Sequence, residues 1–158
     1  DVRDFDFLWI SDLDEIPNKN KVFKLGRLSM FFSYYKMNLL KNYYWRRSVS
    51  ILGKHIISTK PSNIRKNKWM FGNDVKNGGW HFSYLMNEKE IAEKVKSLCE
   101  THFAKEKFIN LQAIQNAIKN KKDLFGRLSE DLRLVKDLSF LPDIVSGNLD
   151  KYKEFIED

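Results

Sequence analysis

Apolar and polar positions along the chain predict short strands in its first half. Residues 5–10 form an apolar run that is interrupted only by Asp6. Short runs of aromatic and branched residues are typical of buried, central strands in α/β sheets. We expect two further strands at residues 29–40 and 48–58, which form a hairpin or a neighbouring pair. A short strand is expected at residues 80–85, so the pattern predicts an α/β fold.

Local start and stop signals predict helices and loops between these strands. Pro17 and Gly26 bracket a short helix, because proline suits the first helical position and glycine the position after the last. Its expected inner face consists of three apolar residues: Val22, Phe23 and Leu25. Pro61 opens another short helix that includes Arg65. Residues 66–79 are polar and contain glycines, which predicts a loop.

Helical periodicity is clearest after residue 87. Asn87 and Glu90 have the spacing of a reciprocal N-terminal cap. The inward stripe that follows comprises Ile91, Val95 and Leu98. A second helix is expected over residues 110–120, with three residues facing inward: Leu111, Ile114 and Ile118.

Composition places the chain among globular proteins. Of its 158 residues, 42% are hydrophobic and 14% aromatic, which argues against disorder. The net charge of +7 favours anionic partners, although the lysines are scattered among asparagines and not massed in one block. One compact unit, residues 1–158, is the simplest partition. Because the chain opens inside an expected sheet and without a methionine, we interpret it as a fragment.

Cysteine content and hydropathy indicate in which cellular compartment the protein is expected. Cys99 is the one cysteine, so an internal disulfide and a zinc cluster of several thiolates are both excluded. The reducing cytoplasm is therefore the expected location. No stretch of the sequence approaches the length of a membrane span, while an anchor upstream of these residues stays open.

Three acids follow the first predicted strand. In an extended chain, side chains at i and i+2 point the same way, so Asp12 and Asp14 aim two carboxylates at one point and Leu13 turns back to the core. Ligand sites of α/β sheets lie beyond the carboxyl ends of strands. Two converging carboxylates suit Mg²⁺ or Mn²⁺. The alternative interpretation is an acidic, helix-capping turn.

Residues 78–84 form the second informative stretch. Paired glycines allow a sharp turn or a close approach of the backbone to a ligand. Trp80 then offers a stacking surface, and His81 offers a ligand for metal or phosphate. The alternative is a turn into a strand whose aromatic side chains are core. Taken by themselves, Trp80, Phe82 and Tyr84 favour that alternative, whereas His81, taken together with the acids, favours a functional role.

Other aromatic and charged residues have two interpretations each. Five aromatic residues are candidates for an acceptor platform or for the core: Tyr34, Tyr35, Tyr43, Tyr44 and Trp45. Three arginines are candidates for binding a diphosphate or for plain surface charge: Arg46, Arg47 and Arg65. Asp123 and Arg127 have the spacing of a helical ion pair.

Residues 11–17 (SDLDEIP) and 78–85 (GGWHFSYL) together resemble glycosyltransferase family 17. This is the family of the β-1,4-mannosyl-glycoprotein β-1,4-N-acetylglucosaminyltransferase. The resemblance runs over residues 4–145. It implies a GT-A-like (Rossmann-like) mixed sheet flanked by helices, in a single catalytic domain of which this chain is the C-terminal portion. Relatives carry a longer segment before the acidic strand, with the first nucleotide-binding strands.

The resemblance also implies a reaction and roles for residues. An inverting transferase would move N-acetylglucosamine from a UDP-sugar donor to a glycan acceptor, with no nucleic acid involved. Asp12 and Asp14 would hold Mn²⁺ or Mg²⁺, with His81 as a third candidate ligand. The donor-binding set would be Asp12, Asp14, His81, Trp80 and Arg65.

The sequence does not identify the general base that the reaction needs. Glu15, Asp74 and Glu88 are the candidates, and Glu15 faces away from the metal pair if the chain stays extended. One departure from the family is Glu100, which stands where a histidine is expected, with His102 displaced by two positions. Two rival functions remain open: a basic module that binds nucleic acid, and an inactive transferase-like domain.

Overall fold

The computed structural model describes residues 1–21, 23–66, 73–97, 106–127 and 132–158. The chain forms two compact units. The first consists of Asp1–Phe32 and Tyr43–Phe82, and the second of Ser33–Asn42 and Ser83–Asp158. The predicted Leu98, Cys99, Glu100 and His102 lie outside the described residues, as does Val22.

Three strands that lie wholly or mostly in the first unit pair antiparallel. They are β1 (Phe7–Ile10), β5 (Val49–Leu52) and β3 (Gly26–Tyr34), and β5 lies between the other two. The strand predicted at 5–10 is present over Phe7–Ile10, and the second and third predicted strands are neighbours as expected. The central, buried position expected for β1 is wrong: among the described residues it pairs with β5 alone.

The position of β1 leaves one of its faces partly buried and the other exposed. Leu8 and Ile10 pack against the core of Val49, Ile51 and Ile64. Phe7 and Trp9, on the other face, remain 38% and 37% exposed.

The two motifs of the sequence are paired strands in the first unit. Strand β2 (Glu15–Pro17) runs antiparallel to β6 (Asp74–Ser83), with Glu15 opposite His81 and Pro17 opposite Gly79. Gly79 has φ +151°, and a Cβ there would lie 2.2 Å from the Ile16 carbonyl oxygen, so this close pairing requires glycine. Residues 74–79, predicted as a loop, belong to strand β6, which pairs with β2 and with β3.

Strand β6 also pairs with β3. The Arg27 amide donates to the Asn73 carbonyl at 3.2 Å, and the Tyr35 amide donates to that of Ser83 at 3.0 Å. Residue numbers rise together along both strands, so they run in the same direction. The chain is therefore α/β with a mixed sheet and flanking helices, as predicted.

Helices α1 (Gly53–Ser58) and α2 (Pro61–Lys66) follow β5. The helix predicted at Pro61 is confirmed. Of the strand predicted over 48–58, only the first half is a strand, and the rest is α1.

The helix predicted between Pro17 and Gly26 is wrong. A 3₁₀ turn at Lys19–Lys21 takes its place, and Phe23 is 78% exposed. Pro17 is held extended by β6, and the Asn18 side chain then accepts from the Asn20 amide at 2.9 Å. Such a local bond favours a turn over a helix.

A hairpin opens the second unit. The end of β3 pairs with β4 (Lys36–Leu40), which in turn pairs with β7 (Arg133–Leu134). The single strand predicted over 29–40 is therefore two strands. The turn between them escaped prediction because it contains neither glycine nor asparagine, and Tyr35 itself adopts φ +66°.

Helices complete the second unit. They are α3 (Glu88–Ser97), α4 (Glu106–Ile109), α5 (Leu111–Lys119), α6 (Asp143–Ser146) and α7 (Leu149–Tyr152), with 3₁₀ turns at Leu138–Phe140 and Lys153–Phe155. None of the helices in the described part of the chain combines the length and the apolar character needed to span a membrane.

The predicted helix signals of this unit are largely confirmed. The Asn87 and Glu90 side chains each accept from the other's amide at 3.0 Å, which is the predicted capping box. Ile91 and Ile114 are fully buried, as expected, whereas Leu111 is 42% exposed because it begins α5.

Candidate functional site

The three acids after β1 lie in a turn. The Glu15 amide donates to the Asp12 carbonyl at 3.0 Å, so the chain is not extended here. Leu13 is fully exposed, and its predicted place in the core is wrong. The turn also voids the expectation that Glu15 faces away from the two aspartates, because alternation holds only for an extended strand.

Glu15 is the buried centre of this cluster. Its side chain is 0% exposed. It accepts hydrogen bonds from the Asp12 amide at 2.8 Å, the Ser48 hydroxyl at 2.5 Å and the Trp45 indole N–H. Arg65 adds an ion pair at 3.2 Å. A buried carboxylate with so many donors is a rigid anchor for the residues around it.

Arg65 binds Asp12 through two parallel hydrogen bonds. Nη1 donates to Oδ1 at 2.5 Å and Nη2 donates to Oδ2 at 2.7 Å. The hydrogen bonds from Arg65 hold the pKa of Asp12 below its usual value, against the opposing effect of partial burial. The same bonds raise the pKa of Arg65. The Asp12 side chain nevertheless remains 54% exposed, so this ionised carboxylate faces solvent.

His81 lies beside the remaining acids, as the pairing of β2 with β6 dictates. Its Nε2 is 3.8 Å from Asp14 Oδ2, and its Nδ1 is 3.9 Å from Glu15 Oε1. Phe32 and Trp45 pack against the imidazole, with ring centroids 4.7 and 4.4 Å away. The imidazole is thus held in place, while the Asp14 side chain is 32% exposed.

We call Asp12, Asp14, Glu15, Arg65 and His81 the acid cluster. All five were singled out in the sequence, and the fold brings them together within the first unit.

The other predicted site residues lie elsewhere. Trp80 precedes His81 in β6, so strand alternation points its side chain to the opposite face. Asp74 pairs with Arg46, with 3.1 Å between Oδ2 and Nε. Glu88 belongs to the second unit, where it lines a cavity with Tyr35 and Lys36.

The donor set of the acid cluster fits a cation that is held by few protein ligands. No group of three or more His, Cys, Asp and Glu side chains in the described ranges is arranged to hold a metal ion. Mg²⁺ and Mn²⁺ commonly use one or two carboxylates and complete their shell with water and substrate phosphates. Asp12 and Asp14 are partly exposed, but both Asp12 oxygens accept hydrogen bonds from Arg65, so a cation at Asp12 would have to displace or share that ion pair. His81 is 6% exposed and is the least accessible of the three candidate ligands.

Two residues that hold the cluster were not predicted in these roles. Ser48 was assigned only to a strand, and Trp45 only to an aromatic platform or the core, yet both donate to Glu15. Neither has a local sequence signal for this contact, because their donors reach Glu15 through strand pairing.

Comparison with known proteins adds no relative. The chain matches no model of a protein family, no curated protein and no solved structure. The resemblance to glycosyltransferase family 17 therefore rests on residues 11–17 and 78–85 and stays a prediction.

Proposed function

We propose that the chain is a metal-dependent, inverting glycosyltransferase with a GT-A-like fold, which moves N-acetylglucosamine from UDP-N-acetylglucosamine to a glycan acceptor. One observation carries the proposal: Asp12 and Asp14 are partly exposed carboxylates, held in a fixed turn after β1 beside Arg65 and His81. The proposed compartment is the cytoplasm, because the sequence has a single cysteine.

The charges of the acid cluster support a diphosphate ligand. The carboxylates would hold Mn²⁺ or Mg²⁺, which as a Lewis acid stabilises negative charge on the phosphate oxygens of the leaving UDP. Arg65 carries a planar guanidinium of the kind that pairs with phosphate through two hydrogen bonds, and it would exchange Asp12 for the phosphate once a cation neutralises that carboxylate. Glu15 fixes the position of this guanidinium from its buried side.

The three candidate bases differ in access. Glu15 has no exposed side-chain surface, so it is better suited to positioning Arg65 than to reaching an acceptor hydroxyl. The Asp74 side chain is 36% exposed and belongs to the same unit as Asp12. Asp74 is therefore the first base to test, and Glu88 the second.

Calorimetric titration of UDP-N-acetylglucosamine into the full chain, with and without Mn²⁺, tests the proposal. We expect binding that requires Mn²⁺ and is lost in Asp14→Asn. Asp4→Asn is the matched control, because Asp4 is an exposed acid of the same unit outside the acid cluster. Absence of binding by the folded full chain to any UDP-sugar would contradict the proposed function.

A further inference from the structure

A cleft of about 520 Å³ lies in the first unit, apart from the acidic side chains of the turn. Its lining includes three arginines, two tyrosines and one acid: Arg27, Arg46, Arg47, Tyr43, Tyr44 and Asp74. We call it the arginine cleft. With three guanidinium groups against one carboxylate, it has a net positive lining that favours an anionic ligand.

Arg27 provides the strongest indication of a ligand. Its Nη1 donates to the Arg46 carbonyl at 3.4 Å. Its Nε and Nη2 are buried and find no hydrogen-bond acceptor among the described residues. A buried donor without an acceptor is costly, and more so when it is charged. Arg27 lines the cleft, so a turn of its side chain toward a carboxylate or phosphate there would supply the missing acceptor.

Arg46 and Arg47 extend this positive surface. Arg46 is held by Asp74 and by the Ser29 hydroxyl, 3.1 and 3.3 Å from its Nε, yet its side chain remains 55% exposed. The Arg47 carbonyl accepts from Arg65 Nε at 3.2 Å. This bond joins the arginine cleft to the acid cluster, so a ligand in the cleft would lie beside the proposed donor site.

Tyr43 and Tyr44 give the cleft its aromatic wall. They are 43% and 46% exposed, in contrast to the buried Tyr34 and Tyr35. Phe32 supports the Tyr43 ring at a centroid distance of 5.7 Å, and Phe31 supports the Tyr44 ring at 5.6 Å. Aromatic rings that are fixed on one side and open on the other suit the apolar face of a sugar.

We propose that the arginine cleft binds an anionic sugar, bearing a carboxylate or a phosphate, and that this sugar is the acceptor of the transferase. The acceptor role rests on the proposed function; the binding does not. Nucleic acid needs a charged groove that follows its backbone. A bounded cleft lined by tyrosines instead favours a short oligosaccharide.

Titrations of the full chain by NMR test the cleft. The probes are a galacturonic acid trimer, glucose 6-phosphate, a neutral galactose trimer and a twelve-residue thymidine oligonucleotide. We expect one or both acidic sugars to bind at least about tenfold more tightly than the neutral trimer, since hydrogen bonds between charged groups are the strong ones. Comparison of the galacturonic acid trimer with glucose 6-phosphate shows whether the cleft binds a carboxylate or a phosphate.

Variants locate the binding. Arg27→Gln should weaken binding of the acidic sugar by about tenfold or more, and Tyr44→Leu should weaken it several-fold. Arg3→Gln is the matched control, because Arg3 is an exposed arginine that pairs with Asp6 as Arg46 pairs with Asp74. Should Arg27→Gln fail to fold, Arg46→Gln and Arg47→Gln replace it.

Two results would overturn the inference. One is equal affinity for acidic and neutral sugars, and the other is tighter binding of the oligonucleotide with the same dependence on the three arginines. The donor titration separates this test from that of the proposed function. Loss of UDP-sugar binding with retained acidic-sugar binding contradicts the transferase alone, and the reverse result contradicts the arginine cleft alone.

Discussion

Two groups of ion-paired side chains, one taken from each unit, both contain aspartate and arginine but differ in their exposure to solvent. In the second unit, Asp123 accepts from Lys41 and, at 2.5 Å, from Arg127. The Lys41 and Asp123 side chains are 0% and 2% exposed. We call these three residues the closed network. In the acid cluster, Glu15 is equally buried, whereas Asp12 and Asp14 face solvent.

This difference in exposure distinguishes a group with a structural role from a group that a ligand can reach. Asp123 also accepts from the Phe125 amide at 2.8 Å, and the Lys41 ammonium lies 4.6 Å from the centroid of the buried Tyr34 ring. No side of the Asp123 carboxylate is left open to a ligand. The acid cluster combines one such anchor, Glu15, with two carboxylates that a ligand can reach. Accessibility, and not the number of charges, distinguishes the two groups.

Removal of Asp123 should have the largest effect. Asp123→Ala leaves the Lys41 ammonium buried without a carboxylate, and we expect the free energy of unfolding to fall by about 3 kcal/mol. Urea unfolding measures this change. Asp150→Ala, at an exposed helical position, is the control and should change stability by less than about 0.5 kcal/mol. A loss below about 1 kcal/mol for Asp123→Ala would show that the closed network is not a structural anchor.

Glu15→Gln tests whether the acid cluster also has a structural anchor. The amide keeps the shape of the side chain but brings an N–H₂ group among donors that need an acceptor. We expect the free energy of unfolding to fall by about 2 kcal/mol. Unchanged unfolding in urea would instead indicate that Glu15 is held for another purpose, and would return it to the candidate bases.

Acid should weaken the closed network more than the acid cluster. Burial tends to raise the pKa of Asp123, but the hydrogen bonds from Arg127 and Lys41 outweigh burial and hold it below the usual 3.8. A lowered pKa in the folded state means that the stabilisation is present above about pH 4 and is lost as pH falls through the folded value.

Urea midpoints at about pH 6 and about pH 3 measure this loss. We expect the drop in urea midpoint between the two pH values to be smaller in Asp123→Ala than in the wild type. In Asp12→Asn the drop should be nearly the same as in the wild type. The pKa of Asp12 is also lowered by Arg65, but its exposure screens the contribution to stability. Equal drops in wild type and Asp123→Ala would contradict this assignment.

Asp12→Asn should have the smallest effect on stability. An exposed ion pair contributes little, so we expect a change of less than about 1 kcal/mol in the free energy of unfolding. The same variant should lose Mn²⁺-dependent binding of the UDP-sugar. Unfolding in urea and the calorimetric titration, made on one preparation, check both halves. A large loss of stability would place Asp12 with the closed network and not with an accessible site.

Local sequence signals were sufficient to predict several helical features. Each of three features lies within one or two turns of helix: proline at the start of α2, the reciprocal cap of Asn87 and Glu90, and the apolar stripe through Ile91. Such features depend on neighbours in sequence, so they could be predicted. The turn at Tyr35 could not, because burial of that ring compensates for a backbone conformation that its sequence does not favour.

The sequence by itself determined a set of candidate site residues, five of which meet in the acid cluster, because carboxylates, histidine and arginine are the types that bind cations and phosphates. Only the tertiary structure decided their roles. The pairing of β2 with β6 buries Glu15 beside His81, and the turn before β2 leaves Asp12 and Asp14 exposed. Burial depends on which distant strands pair, and that outcome reflects packing of the whole unit, which no local pattern contains.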